Sequence, residues 1–276
     1  MTGTRLRALR LPILLTVIAT ALIAGGCGSS KETTTAAAAG SSTSATATAT
    51  GSNTTGSTES TTATAPADPR AGGSLPADAI AVAAGIPITQ AEFDHWLAVA
   101  AKSEAAATSA KVPPIDPSDP PGFNNCIAQI RRDDPSLAKA SNQKLKADCS
   151  ELYHTLSAQV MSFLIESDWY QGYATRLKLV PTNAQVMSAL NAAKAKQFPT
   201  EAKFRAFLKQ AGETVADIRF RFEINLIAAR LAARQKGSQS AKEAAVASQT
   251  KRAFLAGTVC TPAVAMADCS NYHAPG

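Results

Sequence analysis

From Leu75 onward, apolar positions recur at helical spacing in successive segments, separated by polar, proline-rich or glycine-rich gaps. The one strand candidate comes first: AIAVAAG, Ala79 to Gly85, is a short apolar run with small residues. In the following IPITQAE, Thr89 and Glu92 have the spacing of a capping box that opens a helix. Phe93, Leu97 and Ala100 then share one helical face. Five prolines between Val112 and Phe123 exclude regular structure and mark a loop. A long helix is expected from about Asn142 to Leu179, striped by Leu152, Leu156, Val160 and Phe163, with Trp169, Tyr170 and Tyr173 further along. Pro181 closes it, and Thr182 with Gln185 opens the next helix by the same box. Phe204, Phe207 and Leu208 mark a short helix ended by Gly212. The segment from Thr214 to Arg234 is apolar on two sides, through Ile218, Phe222 and Leu226 on one and Phe220, Ile224, Ile227 and Leu231 on the other. A helix with so wide an apolar surface sits between partners. After a polar gap at Lys236-Gly237-Ser238, a further helix is expected from Ser240 to Leu255. The expected fold class is mainly α with a short β element.

The first 74 residues follow different rules. Arg5, Arg7 and Arg10 precede an uncharged apolar run from Leu11 to Ala24. That run is shorter than the roughly 20 residues a membrane-spanning helix needs, so it reads as a signal sequence, residues 1–26. Ile23-Ala24-Gly25-Gly26-Cys27-Gly28-Ser29-Ser30 resembles a bacterial lipobox, with Ala24 where leucine is usual. The resemblance implies diacylglycerol and an amide-linked chain on Cys27, the two apolar anchors that stable attachment requires. Residues 27–74 read as a disordered tether: from Thr33 to Pro66 only Asn53, Glu59 and Pro66 depart from Thr, Ala, Ser and Gly. Such a stretch buries too little to offset the entropy of ordering. The expected protein is extracytoplasmic, tethered to the bacterial cell membrane by lipid, with one folded domain over residues 75–272.

Charge changes the picture little. The formal net charge is +6, and setting aside the three arginines before the apolar run leaves 24 basic against 21 acidic residues. Without a dense basic run, nucleic acid is not an expected partner. Four cysteines remain beyond Cys27: Cys126, Cys149, Cys260 and Cys269. An even number in an exported chain suggests two disulfides among three pairings. The nearest-neighbour pairing is preferred; Cys126–Cys149 would clip the proline-rich loop to the start of the long helix, contributing about 3 kcal/mol on the loop-entropy model. Cys260–Cys269 would close a small terminal loop.

Candidate chemistry is sparse. The chain has no phosphate-cradling Gly-x-x-x-x-Gly-Lys, no His-Glu-x-x-His and no Gly-x-Ser-x-Gly, so no nucleotide, metal or other cofactor is expected. Glu92…His95 and Glu151…His154 have the Glu-x-x-His spacing of di-iron bundles. On a helical wheel both pairs lie roughly 100° or more from the apolar stripes, and are therefore expected to face solvent.

Taken in order, "AIAVAAGIPITQAEFDHWL", "VMSFLIESDWYQGYATRLKLVPTNAQV", "FPTEAKFRAFLKQAGETVADIRFRFEINLIAARL" and "TVCTPAVAMADC" resemble extracytoplasmic foldases of the SurA/PrsA type, over nearly the whole of the chain beyond Leu75. The resemblance implies a SurA N-terminal-like helical chaperone domain, which in that family is split by a parvulin-type peptidyl-prolyl isomerase domain. Here the insertion point falls at residues 236–240, and the 42 residues after Arg234 already hold the return helix and the two-cysteine tail. The catalytic domain therefore reads as missing, and Phe254 stands where relatives tend to carry tryptophan. What is implied is a holding chaperone for unfolded secreted polypeptides, with Trp96, Trp169, Tyr170, Phe204 and Phe207 as candidate client contacts and no catalysis. A retained isomerase activity and a structural or partner-binding lipoprotein are the alternatives.

Overall fold

In the computed structural model, residues 75–108 and 115–273 are described. Helix makes up 67% of the fold in seven segments, with one three-stranded sheet, so the chain is mainly α. Every described element lies in the second of two units, which divide between Ala65 and Pro66. The expectations for the signal segment, Cys27 and the tether concern residues outside those described.

The sheet is built by strands that the hydrophobic pattern underestimates. Strand β1, Ala79–Ala83, turns through Ala84 and Gly85, both at positive φ (52° and 82°), into β2, Ile86–Thr89. Two positive φ values are what a two-residue hairpin requires to match strand twist. Pro87 disguised β2 as a turn, yet β2 lies at the sheet edge, where a missing N–H is tolerated. The other neighbour of β1 is β3, Val259–Cys260, paired as Ala81 with Cys260 and Val82 with Val259. The expectation of a single strand is thus corrected to three, in the order β2-β1-β3.

Helix α1, Gln90–Thr108, begins directly after β2, and the Thr89 hydroxyl accepts a 3.1 Å bond from the Glu92 N–H. Helix α2, Asn124–Asp133, was not anticipated. It packs on the first half of α3, Asn142–Arg176, which at 35 residues is about 52 Å long. Cys126, Ile127, Phe123, Leu145 and Cys149 form a small separate core there, stapled by the Cys126–Cys149 disulfide. Helix α3 ends three residues earlier than expected because Lys178 adopts a left-handed conformation, φ 55°, and the Leu179 N–H returns to the Ala174 carbonyl.

Helices α4, Asn183–Gln197, and α5, Glu201–Ala211, are opened by Thr182 and Thr200, whose hydroxyls accept from Gln185 and Lys203 backbone N–H groups. Gly212, φ 68°, ends α5. Helix α6, Val215–Ala233, starts with a Thr214/Asp217 capping box and packs against α3, α4 and α7, Gln239–Phe254, as its double apolar surface requires. The second half of α3 is the centre of the main core: Val160, Met161, Leu164, Ile165 and Trp169 are buried there. Trp169 Nε1 donates to Thr258 Oγ1 over 2.8 Å, and that hydroxyl donates to the Phe254 carbonyl over 3.0 Å. Gly172 lets α3 approach the hairpin: a Cβ there would lie 2.7 Å from Ala84 Cβ. The Cys260–Cys269 disulfide holds the terminal loop, where the Asn271 side chain bonds both backbone polar groups of Cys260.

Candidate functional site

Three helices bring their aromatic side chains to one place. Trp96 of α1 lies edge-on to Phe163 of α3, with centroids 5.1 Å apart, and 5.8 Å from Phe220 of α6. Phe163 and Phe220 are themselves 6.1 Å apart at right angles. These are the spacings at which rings attract through their quadrupoles. Trp96 is 5% exposed, whereas both phenylalanines are only partly buried, so the cluster has an enclosed floor and two rings that keep some contact with solvent.

Charged groups frame it. Asp217 works with both oxygens: Oδ2 accepts from Thr214 N and Oγ1 to cap α6, and Oδ1 lies 2.9 Å from His95 Nε2 on α1. A carboxylate only accepts, so this bond places a proton on Nε2. Nearby, the buried Glu213 pairs with Arg221, whose guanidinium stands 5.9 Å from the Trp96 ring centroid. The two charges meet as an ion pair without the alignment of a hydrogen bond. Both pairs fix the start of α6, and the His95 pair ties it to α1, so the cluster keeps its shape.

On the same helix as Phe163 lies a buried acid that the sequence reading does not single out. Asp168 of α3 is 7% exposed, and its Oδ2 has no hydrogen-bond partner. Burial, reinforced by the nearby Glu92, pushes its carboxyl up to about 8, so it is held neutral below that pH. Glu92 itself is raised by burial, though the Thr89 N–H and His95 pull it back. Glu92 is thus partly buried where α1 packs against α3 and α5, which corrects the wheel reading for that residue, while His95 keeps a partly exposed side chain and pairs with Asp217 at the start of α6. Glu151 and His154 are exposed, as expected. Among the described residues no three His, Cys, Asp or Glu side chains stand together as a metal site.

The sequence-derived candidates fall into two groups. Trp169 is fully enclosed and Phe204 is buried, which corrects their assignment as contacts accessible in the folded domain: their rings fill the core. Trp96 contributes the floor of the cluster. Tyr170 is half-buried, and burial pushes its hydroxyl up to about 12. Phe207 is half-buried in a second group, 5.2 Å from Phe198, with Phe198 5.3 Å from Phe204. Phe163 and Phe220 were read only as stripe residues; their convergence with Trp96 is tertiary. The signal for Asp168 was present: it continues the inward series Met161, Leu164, Ile165 at helical spacing. Both expected disulfides, Cys126–Cys149 and Cys260–Cys269, are formed. No helix among the described residues is long and apolar enough to cross a membrane. No family model matches this chain, and no curated protein or solved structure matches it either.

Proposed function

We propose that this protein is a chaperone of the SurA/PrsA kind that holds unfolded secreted polypeptides at the membrane, without nucleotide and without catalysis. The observation that carries the reading is the Trp96–Phe163–Phe220 cluster, partly exposed through its two phenylalanines and framed by fixed charges. An aromatic surface of this kind takes apolar side chains of many sequences, because every contact is non-directional. Binding is weak and rapidly reversible, as a holding function demands. The short connection from α6 to α7, Arg234 to Ser238, supports holding without catalysis, since the chain passes directly from one helix to the next where relatives carry their isomerase. The strand, turn and helix that open the domain, β1 to α1, are the opening that the resemblance implies. In this reading Cys27 carries the lipid and the threonine-rich segment spans the gap to the membrane.

The test uses residues 75–276 with both disulfides oxidised. Aggregation of a reduced, unfolding test protein is followed by light scattering at increasing domain concentration, alongside proline-limited refolding. The expected result is suppressed aggregation with an unchanged isomerisation rate. Phe163→Ser with Phe220→Ser should weaken suppression several-fold, with circular dichroism checking that the fold is kept, because both rings are partly exposed. No suppression at large excess would overturn the reading in favour of a dedicated adaptor. Acceleration of refolding would restore the isomerase reading.

A further inference from the structure

Positive charge is concentrated on one corner of the domain. From Asn183 to Gly212, Lys194, Lys196, Lys203, Arg205 and Lys209 face a single acid, Glu201. That segment is +4, more than the +3 left once the three N-terminal arginines are set aside, so the remainder is slightly acidic. Glu201 is already engaged, 2.5 Å from Lys194 Nζ and 3.5 Å from Arg205 Nε. Lys196, Lys203 and Lys209 are exposed and make no ion pair among the described residues. On α5, Phe204 and Leu208 turn inward and Phe207 stays partly exposed, while Lys203 and Arg205 flank Phe204 at about 100° to either side and Lys209 lies about 140° around the helix. The Lys102 side chain of α1 lies over Gly212 and adds a further cation at the end of α5. Between these charges, Phe198 and Phe207 are half-buried beside the exposed Pro199.

We infer that the corner formed by the end of α4 and by α5 docks onto an anionic lipid surface, with Lys196, Lys203 and Lys209 over the headgroups and Phe198 and Phe207 at the interface. Two observations favour lipid over an acidic polypeptide. The cations are mostly lysines, compact point charges suited to a diffuse field, whereas paired recognition of carboxylates draws on the planar fork of arginine. Half-buried aromatic rings beside lysines match the layered polarity of a bilayer surface. Docking here presents the domain to the membrane by α5 and is independent of what the Trp96 cluster holds.

The test is sedimentation of residues 75–276 with vesicles of phosphatidylcholine alone and of phosphatidylcholine mixed with phosphatidylglycerol. Binding is expected only to the mixed vesicles and should fall as salt is raised. At about 1 kcal/mol per lysine near such a surface, Lys196→Gln, Lys203→Gln and Lys209→Gln together should lower partitioning by about a hundredfold without moving the thermal melt. Equal binding to both vesicle types, or to neither, overturns the proposal. So does undiminished binding of the triple variant, and so does capture of soluble polyglutamate by a domain that ignores vesicles. Aggregation assays on the same variant are expected to be unchanged, which separates this outcome from failure of the holding reading.

Discussion

Asp168→Asn isolates the energetic consequence of placing an acid in the core. In the folded protein the carboxyl titrates near 8, against an ordinary value of 3.8, so between those pH values the native state holds a proton that the unfolded chain has lost. Stability linked to this group is therefore fully present below about pH 4, declines as pH rises, and is gone above about pH 8. The gap between 3.8 and about 8 bounds the effect at roughly 5 kcal/mol, and entry of water beside the ionised oxygen reduces it to a few. Asparagine has the shape of the neutral acid and cannot ionise. Urea unfolding followed by circular dichroism from pH 4.5 to 8.5 should show wild-type stability falling by several kcal/mol. The variant should show a markedly flatter profile and exceed wild type at the alkaline end. Glu92 and Glu166 are also raised by burial and add a slope of the same sign, which the difference between the two proteins removes. Parallel profiles for the two proteins would falsify the assignment of a protonated acid at this position.

Two further perturbations address the packing. Thr258→Val keeps the shape of a residue with no exposed surface but strands the Trp169 N–H. A loss of about 2 kcal/mol is expected in urea unfolding with an unchanged denaturant slope, and a shift no larger than experimental scatter would refute the pairing. Cys126→Ala with Cys149→Ala removes the staple of the α2–α3 core, with an expected loss of about 3 kcal/mol. Hydrogen exchange should accelerate from Asn124 to Cys149 while the Ile224–Leu231 amides of α6 stay protected. Uniform acceleration would show that the two cores are not energetically separate.

The helices were legible wherever a capping residue met a periodic stripe. Thr182 and Thr214 cap where the sequence opens their helices, and Gly212 ends α5, whereas the cap at Thr200 shows only in the structure. Helix α2 escaped because its first turn follows Phe123, which offers no side-chain cap, and its ten residues expose mostly polar groups. Its stability comes from the disulfide and from Leu145 across the interface, neither of which has a local signature. Strand β3 has two residues, too few for any alternation to register. The Trp96 cluster was half-legible: Trp96 was singled out, but Phe163 and Phe220 belong to stripes 57 residues apart in the chain, and only the crossing of α3 with α6 joins them. The wheel failed for Glu92 because it assumes one buried face, and α1 has neighbours on more than one side.

The pairing of β3 with β1 ties residue 260 to residue 81. During synthesis, the N-terminal hairpin emerges early and must wait for almost the whole domain before its second edge is covered. Thr258, which receives the Trp169 bond, and Asp268, which takes Lys251 and Ser162, arrive equally late. The domain therefore cannot close from its leading end. Until the last loop is delivered and Cys269 finds Cys260, the chain remains an open assembly of helices, itself in need of the shelter it is proposed to give others.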